Sequence, residues 1–355
     1  MSLTLKNLAA VDRSWVDQCF KRCLGDEGGG VESFTLQQIG EGVGQLGEFG
    51  LLEVKTQDGD ARSFFLKIQT SSEDFHQLCL DYQYYEREVN FYQCSAKDVA
   101  CRTPHPYYVE FNREQSQVLL VLEFMAGWHT PDQIIGASRH QIEKAIDALI
   151  PINTQYWNRT DELPWLPNSK APFMVKLADD MVANRQKFLD RFGHLLTVSQ
   201  QQKLDQIIAY YPKFADIFTQ GTQTLTHWDY RVENIFYSAD ESEVAVIDWQ
   251  LGLAHKPGWD LAYLLTTNID VALRREIFEA SVVQYQAGLC AAGIAYETDK
   301  LMKNMRQAMC AITCFSVVGG GNCDFENERS VMLFAKLTER LFAAIDDYDA
   351  TAALV

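Results

Sequence analysis

The feature that most limits the folds open to this chain is a change of hydrophobic rhythm near residue 125. Before it, apolar residues alternate or cluster in strand-sized pieces at 34–39, 51–56 and 63–69, and the continuous run 118–124 suits a buried strand. After it, apolar residues recur at helical spacing over 139–157, 171–192, 199–218, 271–292, 299–318 and 327–348. One helical pattern, 81–93, interrupts the strands. One hairpin-like pair, 235–237 and 244–247 turned by 238–242, interrupts the helices. The expectation is an α+β protein of two lobes. Residues 1–125 form a small antiparallel β lobe with one main helix, and residues 126–355 form a large, mostly helical lobe.

Composition narrows the class of partner. A chain of 355 residues, 47% apolar, with its charges interspersed, can bury a large core and is expected to be globular. A formal net charge of −17 opposes binding to a nucleic-acid backbone, which needs a basic face, and mildly favours cationic or neutral small molecules. Apolar runs such as 118–122 fall far short of the roughly 20 residues of a transmembrane helix. Lys6, Asp12, Arg13 and Asp17 interrupt any signal-peptide core, so neither a membrane nor a nucleic-acid partner is expected and the location expected is cytoplasmic. The nine cysteines form no Cys-x-x-Cys pair, and Cys310 and Cys314, one helical turn apart without a nearby His, read as core residues rather than metal ligands.

Within the strand-rich part, Gly42, Gly44 and Gly47 match Gly-x-Gly-x-x-Gly. A dinucleotide fingerprint requires a helix next, whereas 49–56 reads as a strand. The glycines are therefore expected to cap a hairpin whose backbone can close over phosphates. Lys67 alternates with Leu66 and Ile68 on its strand. Glu88 lies on an aromatic helix flank, four residues after Tyr84 and three before Phe91, where an unpaired carboxylate would be costly. Lys67 is the partner expected for it, a pair suited to positioning nucleotide phosphates. The segment from Glu123 to Gly127, with Met125 at its centre, ends the buried strand where the rhythm changes and can offer main-chain groups to an adenine ring.

The densest chemistry is His227-Trp228-Asp229-Tyr230-Arg231-Val232-Glu233-Asn234, followed by the strand-like 244–247 and then Asp248. Asp229 can accept or orient a hydroxyl proton. Asn234 and Asp248 present the hard oxygen ligands that Mg²⁺ prefers. Arg231 either neutralises charge on a transferring phosphoryl group or is an ordinary surface residue. His227 is expected to brace the loop by hydrogen bonding. Asp260 reads, on its own, as a carboxylate in the first turn of a helix.

The glycine hairpin, Lys67, the helix around Glu88, the Leu122-Glu123-Phe124 segment, the His227 to Asn234 loop, Ile247-Asp248-Trp249-Gln250 and Asp260-Leu261-Ala262 together resemble the aminoglycoside phosphotransferase and choline kinase superfamily. The ecdysteroid-kinase-like branch looks closest. The resemblance covers almost the whole chain and implies a two-lobed protein-kinase-like fold, ATP and Mg²⁺ as cofactors, and transfer of the γ-phosphoryl group to a hydroxyl of a small molecule. It also implies that Asp260 supports the catalytic loop. Three positions depart from relatives: Trp228 stands where Gly is usual, Gln250 replaces a common acid, and Asn153 occupies a frequent His position. Trp228 is the reason to weigh a nucleotide-binding regulator without turnover against the enzyme. A protein kinase is disfavoured because no Ala-Pro-Glu segment or long activation loop follows Asp248, and an NAD-dependent oxidoreductase because no suitable β-α-β unit surrounds the glycines. Tyr156, Trp157, Trp165 and Trp259 are candidates for substrate contact, with core packing the commoner role of such residues.

Overall fold

The computed structural model describes residues 2–25, 30–40 and 46–354. The chain forms two compact units: one from residues 1–99, 103–127 and 248–251, the other from 100–102, 128–247 and 252–355.

In the first unit, helix α1 (Arg13–Leu24) begins at Asp12, whose side chain accepts the Trp15 N–H. Strands β1 (Val31–Ile39), β2 (Gly47–Thr56) and β3 (Ala61–Gln69) follow, then helices α2 (Glu73–Asp81) and α3 (Tyr84–Cys94), and strands β4 (Pro106–Asn112) and β5 (Gln117–Glu123). The strands make one antiparallel sheet in the order β1-β2-β3-β5-β4. Val16 and Phe20 of α1 pack with Leu52, Val54, Phe64, Leu66, Leu119 and Val121, so the alternating residues of the inner strands and the apolar stripe of α1 share one core. The helix expected at 81–93 is α3, which begins at Tyr84, and α2 precedes it, ending at Asp81. Gln83 takes the left-handed conformation (φ 56°) between them, and the buried Arg87 donates to Tyr82 O at the break. Neither α1 nor β4 was legible in the pattern. Every residue of β4 is half-buried, which erases the alternation that would mark a strand.

The second unit contains α4 (Arg139–Gln155), α5 (Pro172–Phe192), α6 (Val198–Tyr210), α7 (Phe214–Phe218), β6 (Thr224–Thr226), β7 (Ile235–Tyr237), β8 (Val244–Val246), β9 (Leu253–His255), α8 (Trp259–Thr267), α9 (Val271–Ala291), α10 (Thr298–Cys314) and α11 (Glu328–Asp347). Helices α4 and α6 start on reciprocal caps, Ser138 with Gln141 and Thr197 with Gln200. The pattern at 199–218 is broken at Pro212, which lacks the N–H a helix interior needs, and a short 3₁₀ turn separates α6 from α7. The pattern at 299–318 ends as α-helix at Cys314 and continues as a π turn over Phe315–Gly320. Strands β7 and β8 pair as the expected hairpin. The pairing of β6 with β9 escaped the sequence because its short strands are joined by no single turn but lie far apart along the chain. No helix among the described residues is long and apolar enough to cross a membrane.

Candidate active site

In the first unit, Lys67 lies on β3, which is flanked by β2 and β5 and is not an edge strand. It is buried at 5% exposure, so its ammonium needs partners. Two carboxylates supply them. Lys67 Nζ is 2.8 Å from Glu88 Oε2 and 2.8 Å from Asp248 Oδ1. Burial works against the lysine's charge, yet Asp248 and Glu88 outweigh it and raise the pKa above the usual lysine value. Glu88 is pushed up to about 7, chiefly by burial, with Lys67 opposing and Asp248 reinforcing the shift. Three features fix this triad. Glu88 projects from α3 one turn before Phe91, and Phe91 stacks on Trp249 with ring centroids 4.1 Å apart at 6°. Trp249 in turn follows Asp248, whose backbone is left-handed (φ 63°), a conformation uncommon outside glycine. Gln250 Nε2 donates to Asp248 Oδ2 at 3.3 Å.

Gly47 opens β2 where a Cβ would meet Ile68 O at 2.9 Å and Lys67 Cε at 3.5 Å, so this position needs glycine for close backbone approach. Gly42 and Gly44 lie outside the described residues. Glu123 ends β5 and is committed to the sheet: its N–H donates to His105 O, and its carboxylate accepts the His105 N–H. Met125, beyond the strand, is buried, and Gly127 turns the chain with φ 78°.

In the second unit, β6 delivers the chain into the loop that begins at His227. Asp260, in the first turn of α8, accepts the backbone N–H of His227 (3.0 Å) and of Trp228 (2.9 Å). Its carboxyl is pushed up to about 6 because burial outweighs the nearby His227 and the two N–H donors. His227 Nε2 donates to Ile247 O at 2.9 Å, and Ile247 N–H donates to Asn234 O at 3.0 Å, tying the loop to the hairpin that follows it. Asn234 Nδ2 donates to both Asp229 O (2.9 Å) and Asp229 Oδ2 (3.1 Å), which leaves the amide oxygen as its remaining polar atom. Arg231 reaches back to Asp229 Oδ2 and forward to Glu233 Oε2, each at 3.4 Å, with a quarter of its side chain exposed. Asp229 itself is 8% exposed.

Trp228 also has a left-handed backbone (φ 70°). Its indole stacks on Trp259 at 4.9 Å and 7°, and Trp259 Nε1 donates to Trp228 O at 2.9 Å. The bulky residue is therefore absorbed by a matching aromatic on α8. Three further residues hold this region and went unassigned in the sequence. Asn268 Oδ1 accepts the Val232 N–H at 3.0 Å. Asn153 donates to Leu225 O and accepts the Tyr285 hydroxyl. The Tyr263 hydroxyl lies against Asp229, and burial with that carboxylate keeps the phenol protonated. Tyr263 falls three residues after Asp260 on α8, a spacing that could have flagged it.

The donor set suits Mg²⁺. The triad of Lys67, Glu88 and Asp248 carries one positive against two negative formal charges, and Asp248 is its more exposed carboxylate, 20% against 2% for Glu88. A divalent cation would relieve that excess at the more exposed Asp248 carboxylate.

The chain superposes at TM-score 0.55 on an ethanolamine kinase from Plasmodium vivax, with 14% identity, covering 98% of this chain and 91% of that one. A GDP complex of an aminoglycoside 2′-phosphotransferase of type IIIa matches at 0.53 with 13% identity, covering 90% and 94%. A macrolide 2′-phosphotransferase of type I matches at 0.52 with 14% identity, covering 93% and 98%. At these identities the likeness establishes the fold, which is the protein-kinase-like α+β fold expected. A comparison with curated proteins yields no match. The model of the ecdysteroid kinase-like family matches residues 106–293, more than half of the chain and the whole of the Asp229 to Asp260 region, and the chain belongs to that family.

Proposed function

We propose that the protein is an ATP-dependent phosphotransferase that moves the γ-phosphoryl group to a hydroxyl of a small molecule. The observation that carries this reading is the Asp229–Asn234 pair on a loop whose first two N–H groups are clamped by the buried Asp260. A carboxylate fixed by its neighbours on an anchored loop has the character of a general base. Asp229 takes the proton of the acceptor hydroxyl as that oxygen bonds to the γ-phosphorus and the bond from phosphorus to the bridging oxygen breaks, releasing ADP. Lys67, oriented by Glu88, binds the α- and β-phosphates, and Arg231 offsets charge that develops on the transferring group. Asn234 and Asp248 are the residues that would hold Mg²⁺, which when bound would neutralise phosphate charge. Phosphate contact is assigned to Gly42, Gly44 and Gly47, and adenine contact to main-chain groups near Glu123 and Met125.

The residues divide accordingly into a nucleotide part within 1–125 and a catalytic and acceptor part within 126–355. Incubation with Mg-ATP and a mixed alcohol library, read by the mass gain of one phosphoryl group, tests the reading. Asp229→Ala is expected to abolish product while keeping ATP affinity. Unchanged turnover in that variant would remove Asp229 as the base. Product from no alcohol, with ATP still bound, would favour a regulator without turnover.

A further inference from the structure

An alternating row of charges runs through the second unit and ends at the proposed base. Arg329 stands in the first turn of α11. Its Nη1 is 2.7 Å from Asp132 Oδ2, and its Nη2 is 2.6 Å from Glu233 Oε1. Glu233 Oε1 also accepts the backbone N–H of Gln133 at 3.3 Å. The other oxygen, Oε2, meets Arg231 Nη1 at 3.4 Å, and Arg231 Nε lies 3.4 Å from Asp229 Oδ2. The order Asp132, Arg329, Glu233, Arg231, Asp229 therefore ties α11 to the loop that begins at His227, although Arg329 and Glu233 are 96 residues apart.

Two features separate this row from an ordinary surface network. The Glu233 side chain is only 12% exposed, so its charge is weakly screened and needs the cations that meet it. Its two oxygens also have different tasks. Oε1 takes the Arg329 fork and a backbone N–H, which fixes the carboxylate and aims Oε2 at Arg231. The far end of the row is equally fixed. Asp132 Oδ1 accepts the Ile134 N–H at 2.7 Å, and Arg340, further along α11, donates to Gln133 O and Ile134 O at 2.6 and 2.9 Å. Arg231 is the member held loosely. Its two contacts are equal, and both exceed the roughly 2.7–2.9 Å of a charge-assisted N–H···O bond. Closed fully onto Asp229, the guanidinium would be neutralised by the proposed base, and neither group would be left for the transferring phosphoryl group and the acceptor proton. The pull of Glu233 opposes that closure.

Resting on the phosphotransferase reading, we infer that Glu233 and Arg329 are positioning residues: Arg329 aims Glu233, and Glu233 holds the Arg231 guanidinium off Asp229 so that base and cation act separately. Turnover of an alcohol from the library screen with Mg-ATP tests it. Glu233→Gln keeps the shape and can still accept from Arg329 and Gln133, but it turns amide N–H donors toward Arg231. It is expected to lower kcat at least tenfold while changing KM for Mg-ATP less than twofold. Arg329→Gln is expected to lower kcat by a smaller factor. In an Arg231→Ala background, itself slowed, neither change should lower kcat a further twofold, because the residue they act through is gone. Equal losses with and without Arg231, the mark of a merely structural role, overturn the inference, as does a parental kcat in Glu233→Gln. A second readout needs no turnover. Crystal structures of parent and Glu233→Gln should show Arg231 Nε closing on Asp229 Oδ2 from 3.4 Å to about 2.8 Å. An unmoved Arg231 overturns the inference whether or not any alcohol is phosphorylated. Closure as expected in a protein whose parent phosphorylates no alcohol would uphold the placement of Arg231 by Glu233 and count against the phosphotransferase reading instead.

Discussion

Replacing Lys67 by Met leaves Glu88 and Asp248 without their shared cation, and the consequences differ for the two. Asp248 is partly solvated and can rehydrate, whereas Glu88 is 2% exposed and cannot. Removing one member of a buried pair costs about 3–5 kcal/mol, a large part of the 5–15 kcal/mol that stabilises a typical domain. The loss should depend on pH in a defined direction. Glu88 has a folded pKa of about 7, above its unfolded value, so the folded state holds the extra proton and stability falls as pH rises from the unfolded pKa toward 7. Above 7 the parent curve is flat in this group, because Lys67 stabilises the ionised form. In Lys67→Met that stabilisation is gone and the folded pKa climbs further. Stability therefore keeps falling by about 1.4 kcal/mol per pH unit, roughly 2 kcal/mol between pH 7 and 8.5. Urea unfolding of parent, Lys67→Met, Glu88→Gln and the double variant at both pH values measures this. The double variant should recover most of the loss and its pH slope. A loss independent of pH, or two single effects that simply add, would refute the idea that one lysine holds a buried carboxylate ionised.

Asp260→Asn keeps the shape but presents an amide N–H to one of two loop N–H groups. It should lower kcat more than tenfold and cost about 1.5–3 kcal/mol of stability, measured by turnover and thermal unfolding. Because Asp260 has a pKa of about 6, parent activity should fall as pH drops through that value and the carboxylate is protonated, an acid limb absent from the Asn variant's pH–rate profile. Trp249→Ala removes the partner of the Phe91 stack and should cost about 3–5 kcal/mol while weakening Mg-ATP stabilisation through the Glu88–Lys67–Asp248 triad, read in one melting experiment with and without nucleotide. Asp248→Ala should abolish the Mg²⁺-dependent part of the ATP melting shift; its persistence would exclude Asp248 as a metal ligand. Gly47→Ala forces a Cβ onto Ile68 O and should lower the melting temperature, whereas unchanged stability would show that β2 can yield there.

Much of this molecule was legible from local rules. Hydrophobic period separated strands from helices, and Pro212, whose missing N–H ends a helix, marks the break within 199–218. The Lys67–Glu88 pair followed from the cost of a lone carboxylate on an aromatic flank, an argument that needs no coordinates. What resisted reading was set at a distance. β6 and β9 are strands only because they pair with each other across 26 intervening residues from Thr226 to Leu253. Likewise Asn268, Asn153 and Tyr263 acquire their places through partners far along the chain.

Residue types and their spacing thus determined the fold class and the side chains able to bear charge, accept a proton or ligate a cation, because these are properties of a few neighbouring residues. Tertiary structure decided which of those charges are buried together, how Trp228 is accommodated against Trp259, and that Arg329 of α11 meets Glu233. Burial and long-range pairing arise from how distant segments pack, and no local pattern encodes which of them will meet.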